Sequence, residues 1–328
     1  MPDIFGTILW PLKWVIEAIL VGFHWLFTSL GMDGNLGITW ILMIVGLTFV
    51  VRAALIPLFV KQIKSQRKML EVAPELKRIQ DKYKGKKDQY SREAMSRETM
   101  ALYGKHGTNP LSSCLPMLVQ MPVFLALFYT LNDAVHSIDS GKGGVGLLNL
   151  DLANSFANAD FLGAPLASTL QHGFQDGNVA TIVIAIAMII VMTGAQFITQ
   201  LQIMSKNQTP EMKSSPMYKQ QRILLYILPL VFVFTSFYFP LGVMFYWVAS
   251  NLWTVGQQFL VIRNMPTPGS EAALAREARL ARRRQRLGIA DPTEALGEGA
   301  TLNGEPVKST QRQQPVSKSR AKKKGPRK

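Results

Sequence analysis

Long apolar stretches constrain this sequence more than any other feature. The predicted spans cover residues 38–60, 109–135, 179–204, 223–239 and 240–262. About 20 apolar residues in a helix cross the roughly 30 Å of hydrocarbon in a bilayer. Because backbone polar groups inside lipid must be satisfied within the segment, each stretch should be a helix. The sequence therefore predicts an all-α integral membrane protein with a five-helix transmembrane core.

Charge between the spans predicts their orientation. Residues 61–105 carry 13 basic and 6 acidic side chains, whereas residues 136–178 carry one lysine and four aspartates. Loops rich in Lys and Arg remain in the cytoplasm. The core should therefore run N-out and C-in, with 205–222 as a cytoplasmic loop and 136–178 as an extracytoplasmic one.

Residues 1–37 precede the predicted core. Lys13, Glu17 and His24 share a rough helical stripe there, accompanied by three tryptophans. Such a pattern is typical of a helix lying in the membrane interface, so we predict an N-terminal amphipathic helix on the outer face. A signal peptide and a sixth span are the alternatives, although the segment has neither a basic start nor a small-residue cleavage site.

Two basic segments are predicted to lie in the cytoplasm. Residues 61–108 contain good helix formers on either side of a Lys84–Asp88 turn, which predicts a helical hairpin. Residues 263–328 contain 16 basic and 6 acidic side chains with recurring Pro and Gly. Such composition predicts a mostly disordered basic tail.

Arg52 is the charged residue within the first predicted span, three residues from its midpoint. An arginine near the bilayer centre costs roughly 2.5–3.5 kcal/mol on insertion scales, so it should face protein or water. The alternative is a side chain that snorkels to the cytoplasmic edge, about 12 Å away along the helix. The apolar runs, of which the second covers residues 111–132, contain no Asp or Glu to neutralise it.

Polar residues of the other spans gather in the cytoplasmic half of the predicted core. They include Gln120 in the second span, Gln196 in the third, and Ser250 and Asn251 in the fifth. Thr48 and Arg52 are spaced i, i+4 and so share one helix face. Interhelical hydrogen bonds of about 0.6 kcal/mol each explain some of these residues. Together with Arg52 they favour a hydrated groove that is open to the cytoplasm and closed on the outside.

Several local strings resemble the YidC family of membrane protein insertases. They are Thr48–Arg52 with Pro57 behind it, Asn109–Leu111, Gln120–Leu127, and Phe239–Gly242 followed by Ser250–Asn251. Their order and spacing also match, over about residues 4–263. The resemblance is to a form without the large N-terminal periplasmic domain that many members carry.

The resemblance implies a function and a set of site residues. Arg52 matches the groove arginine of the family and Gln120 a polar groove residue, while client contacts fall on Thr48, Tyr246 and Trp247. The implied protein is an insertase and chaperone of the bacterial cell membrane. It would receive nascent membrane proteins, mainly small ones with one or two spans, and release their apolar segments into the bilayer, alone or with the Sec translocon.

The basic segments predict contacts with polyanions. A disordered tail of this charge can bind ribosomal RNA through counterion release, without reading its sequence. The hairpin is a second candidate for ribosome contact, and no sequence-specific nucleic-acid binding is expected. The alternative for both segments is positive-inside topology with attraction to anionic lipids, worth about 1 kcal/mol per basic residue near the surface.

Neither an enzyme nor a cofactor is predicted. The four histidines are scattered, and the sequence shows no nucleotide-binding loop or metal-ligand cluster. An anion transporter is the main rival hypothesis, because an intramembrane arginine can bind an anion. A scaffold with no client pocket is the third.

Overall fold

The computed structural model describes residues 4–86, 88–107, 115–136, 144–206, 208 and 216–288. The described residues are mostly helical, with one two-residue strand pair, which confirms the all-α prediction. The string Asn109–Leu111 and the predicted tail beyond residue 288 lie outside the described ranges. The elements are α1 (Ile4–Ser29), α2 (Gly37–Lys82), α3 (Gln89–Lys105), α4 (Leu115–His136), α5 (Leu150–Ala157), β1 (Asp160–Phe161), β2 (Ala164–Pro165), α6 (Leu170–Asp176), α7 (Val179–Lys206), α8 (Pro216–Ser236), α9 (Leu241–Asn264) and α10 (Glu271–Arg286).

Within the described residues, four helical segments are long and apolar enough to cross a membrane. They are Thr7–Ser29, Gly37–Ser65, Leu118–Val135 and Val179–Lys206. The first lies in α1, and α8 and α9 are not among them. α9 nevertheless has 24 residues, which rise about 36 Å; its polar side chains lower its mean hydropathy. The five-helix core remains a prediction, because hydropathy alone undervalues a span whose polar residues face protein.

α9 lies at the centre of the bundle. It packs against α7 and α2 and also contacts α4, while α1 packs across α4 and α2. The largest fully buried side chains include Trp40 of α2 and Tyr246 of α9. We call the end of the bundle at the N-termini of α2 and α9 the capped end, and the opposite end, towards α3, the hairpin end.

The polar residues of α1 face protein, which differs from the water-facing stripe expected of an amphipathic surface helix. Lys13 is 4% exposed and its ammonium lies 2.5 Å from the carboxylate of Asp133 in α4. Glu17 is fully buried. The exposed face of α1 instead carries large apolar side chains such as Trp10 and Trp25. These buried charges have protein partners, as burial in apolar surroundings requires. The location of α1 on the outer membrane face stays a prediction.

α2 continues unbroken through residues 60 and 61, where the span was predicted to end and the hairpin to begin. The turn after Lys82 contains Gly85 at a φ of +86°, a conformation that glycine adopts without steric cost. Asp88 then caps α3 by accepting the backbone N–H of Ser91 at 2.8 Å. Across the turn, the Lys82 ammonium lies 2.5 Å from Glu98, and this hydrogen bond holds the pKa of that carboxyl below its ordinary value.

Candidate functional site

Arg52 projects from α2 towards α9. Its guanidinium donates a short hydrogen bond to the hydroxyl of Ser250 and lies 3.4 Å from the carbonyl oxygen of the same residue. Both contacts use one terminal nitrogen, whereas a guanidinium has five N–H donors. In the part of the chain that the structure describes, no carboxylate forms an ion pair with Arg52. The side chain is half-buried and keeps donors for a further acceptor.

Tyr246 extends this contact across the bundle. It lies one helical turn before Ser250 on α9 and is 2% exposed. Its hydroxyl accepts a short hydrogen bond from the Gln120 side-chain amide of α4. We call Arg52, Ser250, Tyr246 and Gln120 the polar network. It joins α2, α9 and α4 because residues 246 and 250, at i, i+4, share one face of α9.

Three other predicted site residues are not joined to the polar network by any described hydrogen bond. Thr48 is 1% exposed and donates to the carbonyl of Ile44 in its own helix at 2.8 Å. Asn251 likewise donates to the carbonyl of Trp247 at 3.0 Å. Gln196 is half-buried on α7, and none of the described hydrogen bonds connects it to the network. Their roles in binding remain predictions.

Trp247 belongs to an aromatic cluster on the capped side of the polar network. Its ring stacks on Phe124 of α4 at a centroid distance of 4.9 Å and an angle of 9°. Phe239 packs against Trp247 at 4.9 Å and against Phe128 at 5.5 Å. These aromatic side chains pack between α4 and α9 and form an apolar cluster on the capped side of the polar network.

An apolar crevice of about 710 Å³ lies between α2 and α9 on the hairpin side of the bundle. Its lining includes Phe49, Ile56 and Ile63 of α2 and Leu252, Trp253 and Leu260 of α9. Phe49 and Trp253 meet edge to face at 5.2 Å at this contact. We did not predict these lining residues from the sequence, although the seven-residue spacing of Phe49, Ile56 and Ile63 is typical of one continuous helix face.

A half-buried arginine within long apolar helices, beside an apolar crevice, indicates a helical multi-pass membrane protein. The family described as 60Kd inner membrane protein matches residues 31–268. The membrane protein insertase YidC of Tropheryma whipplei (strain Twist) is 43% identical over 98% of this chain and 97% of its own length. The chain therefore belongs to the YidC family of membrane protein insertases.

A second curated relative and one solved structure are also similar to parts of this chain. The membrane protein insertase YidC of Streptomyces avermitilis is 41% identical over 83% of this chain and 61% of its own length. A crystal structure described as an active YidC insertase with the first transmembrane domain resolved is 21% identical, with a TM-score of 0.43, over 78% of this chain and 47% of that one. Family membership confirms the predicted resemblance and the multi-pass membrane location. As a membrane protein insertase, the chain acts on nascent membrane proteins.

Proposed function

We propose that the polar network is the centre of a cytoplasm-open hydrophilic groove that receives nascent membrane proteins. This proposal rests on the burial and hydrogen bonding of Arg52. The side chain is half-buried in an apolar helix, and the Ser250 hydroxyl is its hydrogen-bond partner. A cation is costly at such a depth. Acidic or polar groups of an incoming chain can complete its hydrogen bonding, and charge-assisted hydrogen bonds are the stronger ones.

The hairpin end faces the cytoplasm in this proposal. The hairpin residues 61–105 carry a net charge of +7, which favours the cytoplasmic side. The aromatic cluster around Trp247 and Phe124 lies between the polar network and the capped end. A polar segment therefore enters from the hairpin side and meets an apolar barrier on the other.

Release of the client uses the apolar crevice between α2 and α9. This crevice is lined almost wholly by aliphatic and aromatic side chains, and it adjoins the helices that carry Arg52 and Ser250. An apolar segment of the client loses contact with water when it enters such a crevice and then the lipid, and this transfer is favourable. Hydrophobic partitioning thus supplies a driving force without any cofactor.

Photo-crosslinking tests the groove and the crevice separately. We expect a crosslinking amino acid at Gln120 or at Leu252 to form adducts with a short single-span protein stalled on the ribosome. The matched control is Ile190 on α7, which is 66% exposed and faces away from both sites. Equal adducts at Ile190, or no adduct at Gln120 with several clients, would contradict the proposal.

The proposed partners include the ribosome, the Sec translocon and anionic lipids. In the described residues, α10 carries six arginines between 276 and 286, and the sequence beyond it adds more basic side chains. Basic segments bind RNA phosphates through counterion release, which depends on salt. We expect removal of residues 267–328 to weaken salt-sensitive co-sedimentation with ribosomes. Unchanged co-sedimentation would exclude the tail as the ribosome contact and leave the hairpin to be tested.

A further inference from the structure

Residues 144–178, which we call the cap, cover the capped end of the bundle with α5, the β1–β2 pair and α6. α9 begins after Pro240 without a side-chain cap. The carbonyl of Ser168 accepts the N–H of Leu241 at 2.9 Å, and that of Leu166 accepts the N–H of Gly242 at 2.9 Å. Because the first N–H groups of a helix have no partner within it, the cap completes the start of α9.

The cap also holds the start of α2. The indole N–H of Trp40 donates to the hydroxyl of Ser155 at 3.1 Å. The Trp40 ring packs edge to face on Phe156 at 5.1 Å, and both rings are almost fully buried. One segment therefore fastens the ends of the two helices that carry Arg52 and Ser250.

Glu17 of α1 secures the cap itself. One carboxylate oxygen accepts the backbone N–H of Val145 at 2.8 Å. The other oxygen accepts the N–H groups of Gly146 at 2.7 Å and of Leu148 at 3.3 Å. A buried carboxylate is costly unless hydrogen bonds compensate it, and here three backbone groups of a single loop do so.

The loop formed by residues 144–148 packs closely around the Glu17 carboxylate and the Trp14 ring. A Cβ atom at Gly144 would lie 2.4 Å from Oε1 of Glu17, and a Cβ atom at Gly146 would lie 2.4 Å from the Trp14 ring. Only glycine fits at such close approaches without a shift of its neighbours. The sequence around residues 144–148 and the position of Glu17 are therefore matched to each other.

From these contacts we infer that the cap is a clamp that fixes the spacing between the capped ends of α2 and α9, with Glu17 as the positioning residue that latches it to α1. This inference rests on the proposed function of the polar network and crevice. With the capped ends fixed, α2 and α9 can separate for a client only at the hairpin end, where the crevice lies. The cap thereby limits the direction in which the protein opens.

The latch is tested first in the unaltered protein. Amide hydrogen exchange reports local opening. We expect the amides of Val145, Gly146 and Leu148 to be protected although they lie outside any helix or strand, because a buried carboxylate accepts from each. Exchange of these three amides at the rate of exposed loop amides would overturn the latch, and this result does not depend on any variant folding.

The clamp is tested with Glu17→Gln in the full-length chain, with Cys114→Ser as background. Spin labels at Leu36 and Tyr238, both exposed, report the spacing between the start of α2 and the turn before α9. Because hydrogen bonds to a charged carboxylate are lost, the fraction of molecules in which the cap is detached from α1 should rise at least about tenfold. We expect a broader distance distribution and several-fold slower insertion of a single-span client into proteoliposomes. The matched control, Asp151→Asn, removes an exposed carboxylate from the cap and should change neither.

The outcomes distinguish failure of the proposed clamp from failure of the proposed groove. An unchanged distance distribution in Glu17→Gln would overturn the clamp even if crosslinks at Gln120 support the groove. A broadened distribution with normal insertion rates would overturn its role in insertion. If wild-type protein gives no client crosslink at Gln120, the groove fails, whereas the exchange and distance measurements still decide whether Glu17 latches the cap.

Discussion

Replacing Arg52 with alanine is expected to slow insertion of a single-span client with an acidic flank by at least about tenfold. The variant removes the one cationic group of the polar network, while Tyr246 and Gln120 retain their hydrogen bond to each other. A hydrogen bond to a charged group contributes about 1.5–3 kcal/mol, and every 1.4 kcal/mol is tenfold in an equilibrium. Protease protection of the client in proteoliposomes measures the effect.

Two variants control for this change. Arg222→Ala removes an exposed arginine of α8 and should leave insertion unchanged. Arg52→Lys keeps the charge but not the planar array of donors, so it should retain part of the activity. Insertion by Arg52→Ala at the wild-type rate would favour a scaffold without a client groove. Anion uptake into protein-containing vesicles that depends on Arg52 would instead favour a transporter.

Replacing Gly37 with alanine is expected to destabilise the fold by about 3 kcal/mol, the upper part of the range for overpacking a core. A Cβ atom at this first residue of α2 would lie 2.1 Å from the backbone oxygen of Asp160. Strand β1 cannot withdraw easily, because Phe161 pairs with Ala164 and packs on Phe245 at 5.7 Å. Denaturant unfolding in detergent micelles measures the loss.

Gly22→Ala is the matched control for Gly37. Gly22 lies within α1, and a Cβ atom there would meet nothing within 4 Å. Alanine exceeds glycine in helix propensity by up to about 1 kcal/mol, so this variant should be neutral or slightly stabilising. Equal destabilisation by both variants would show that the close approach at Gly37 does not limit the stability of the capped end.

Much of the fold could be predicted from local properties of the sequence. The helix α7 begins at Val179, where the apolar run begins, because a charge-free stretch in lipid has to satisfy its backbone as a helix. The position of Arg52 in such a run also predicts that it faces protein or water rather than lipid. These inferences need only the residues of one segment and the solvent around it.

Contacts between distant segments could not be predicted in the same way. Ser250 is 198 positions from Arg52, and only the packing of α2 on α9 brings them together. The sequence predicts an amphipathic interfacial helix for α1, but it does not reveal that the partners of Glu17 are backbone groups such as Val145 N–H, 128 positions away. Backbone N–H groups have no signature in composition or charge. The sequence therefore indicates that these residues need polar partners, whereas only the folded structure identifies those partners.

The unbroken course of α2 has a mechanical consequence. Arg52 lies 15 residues from Gly37, or about 23 Å along the helix, and Lys82 lies 45 residues from it, or about 68 Å. If the start of α2 is held at the cap, the helix is a lever whose fulcrum is at that end. A sideways push on the hairpin turn then moves Arg52 by about one third as much. A bulky partner bound at the hairpin turn would thereby gain a direct mechanical connection to Arg52 and the polar network.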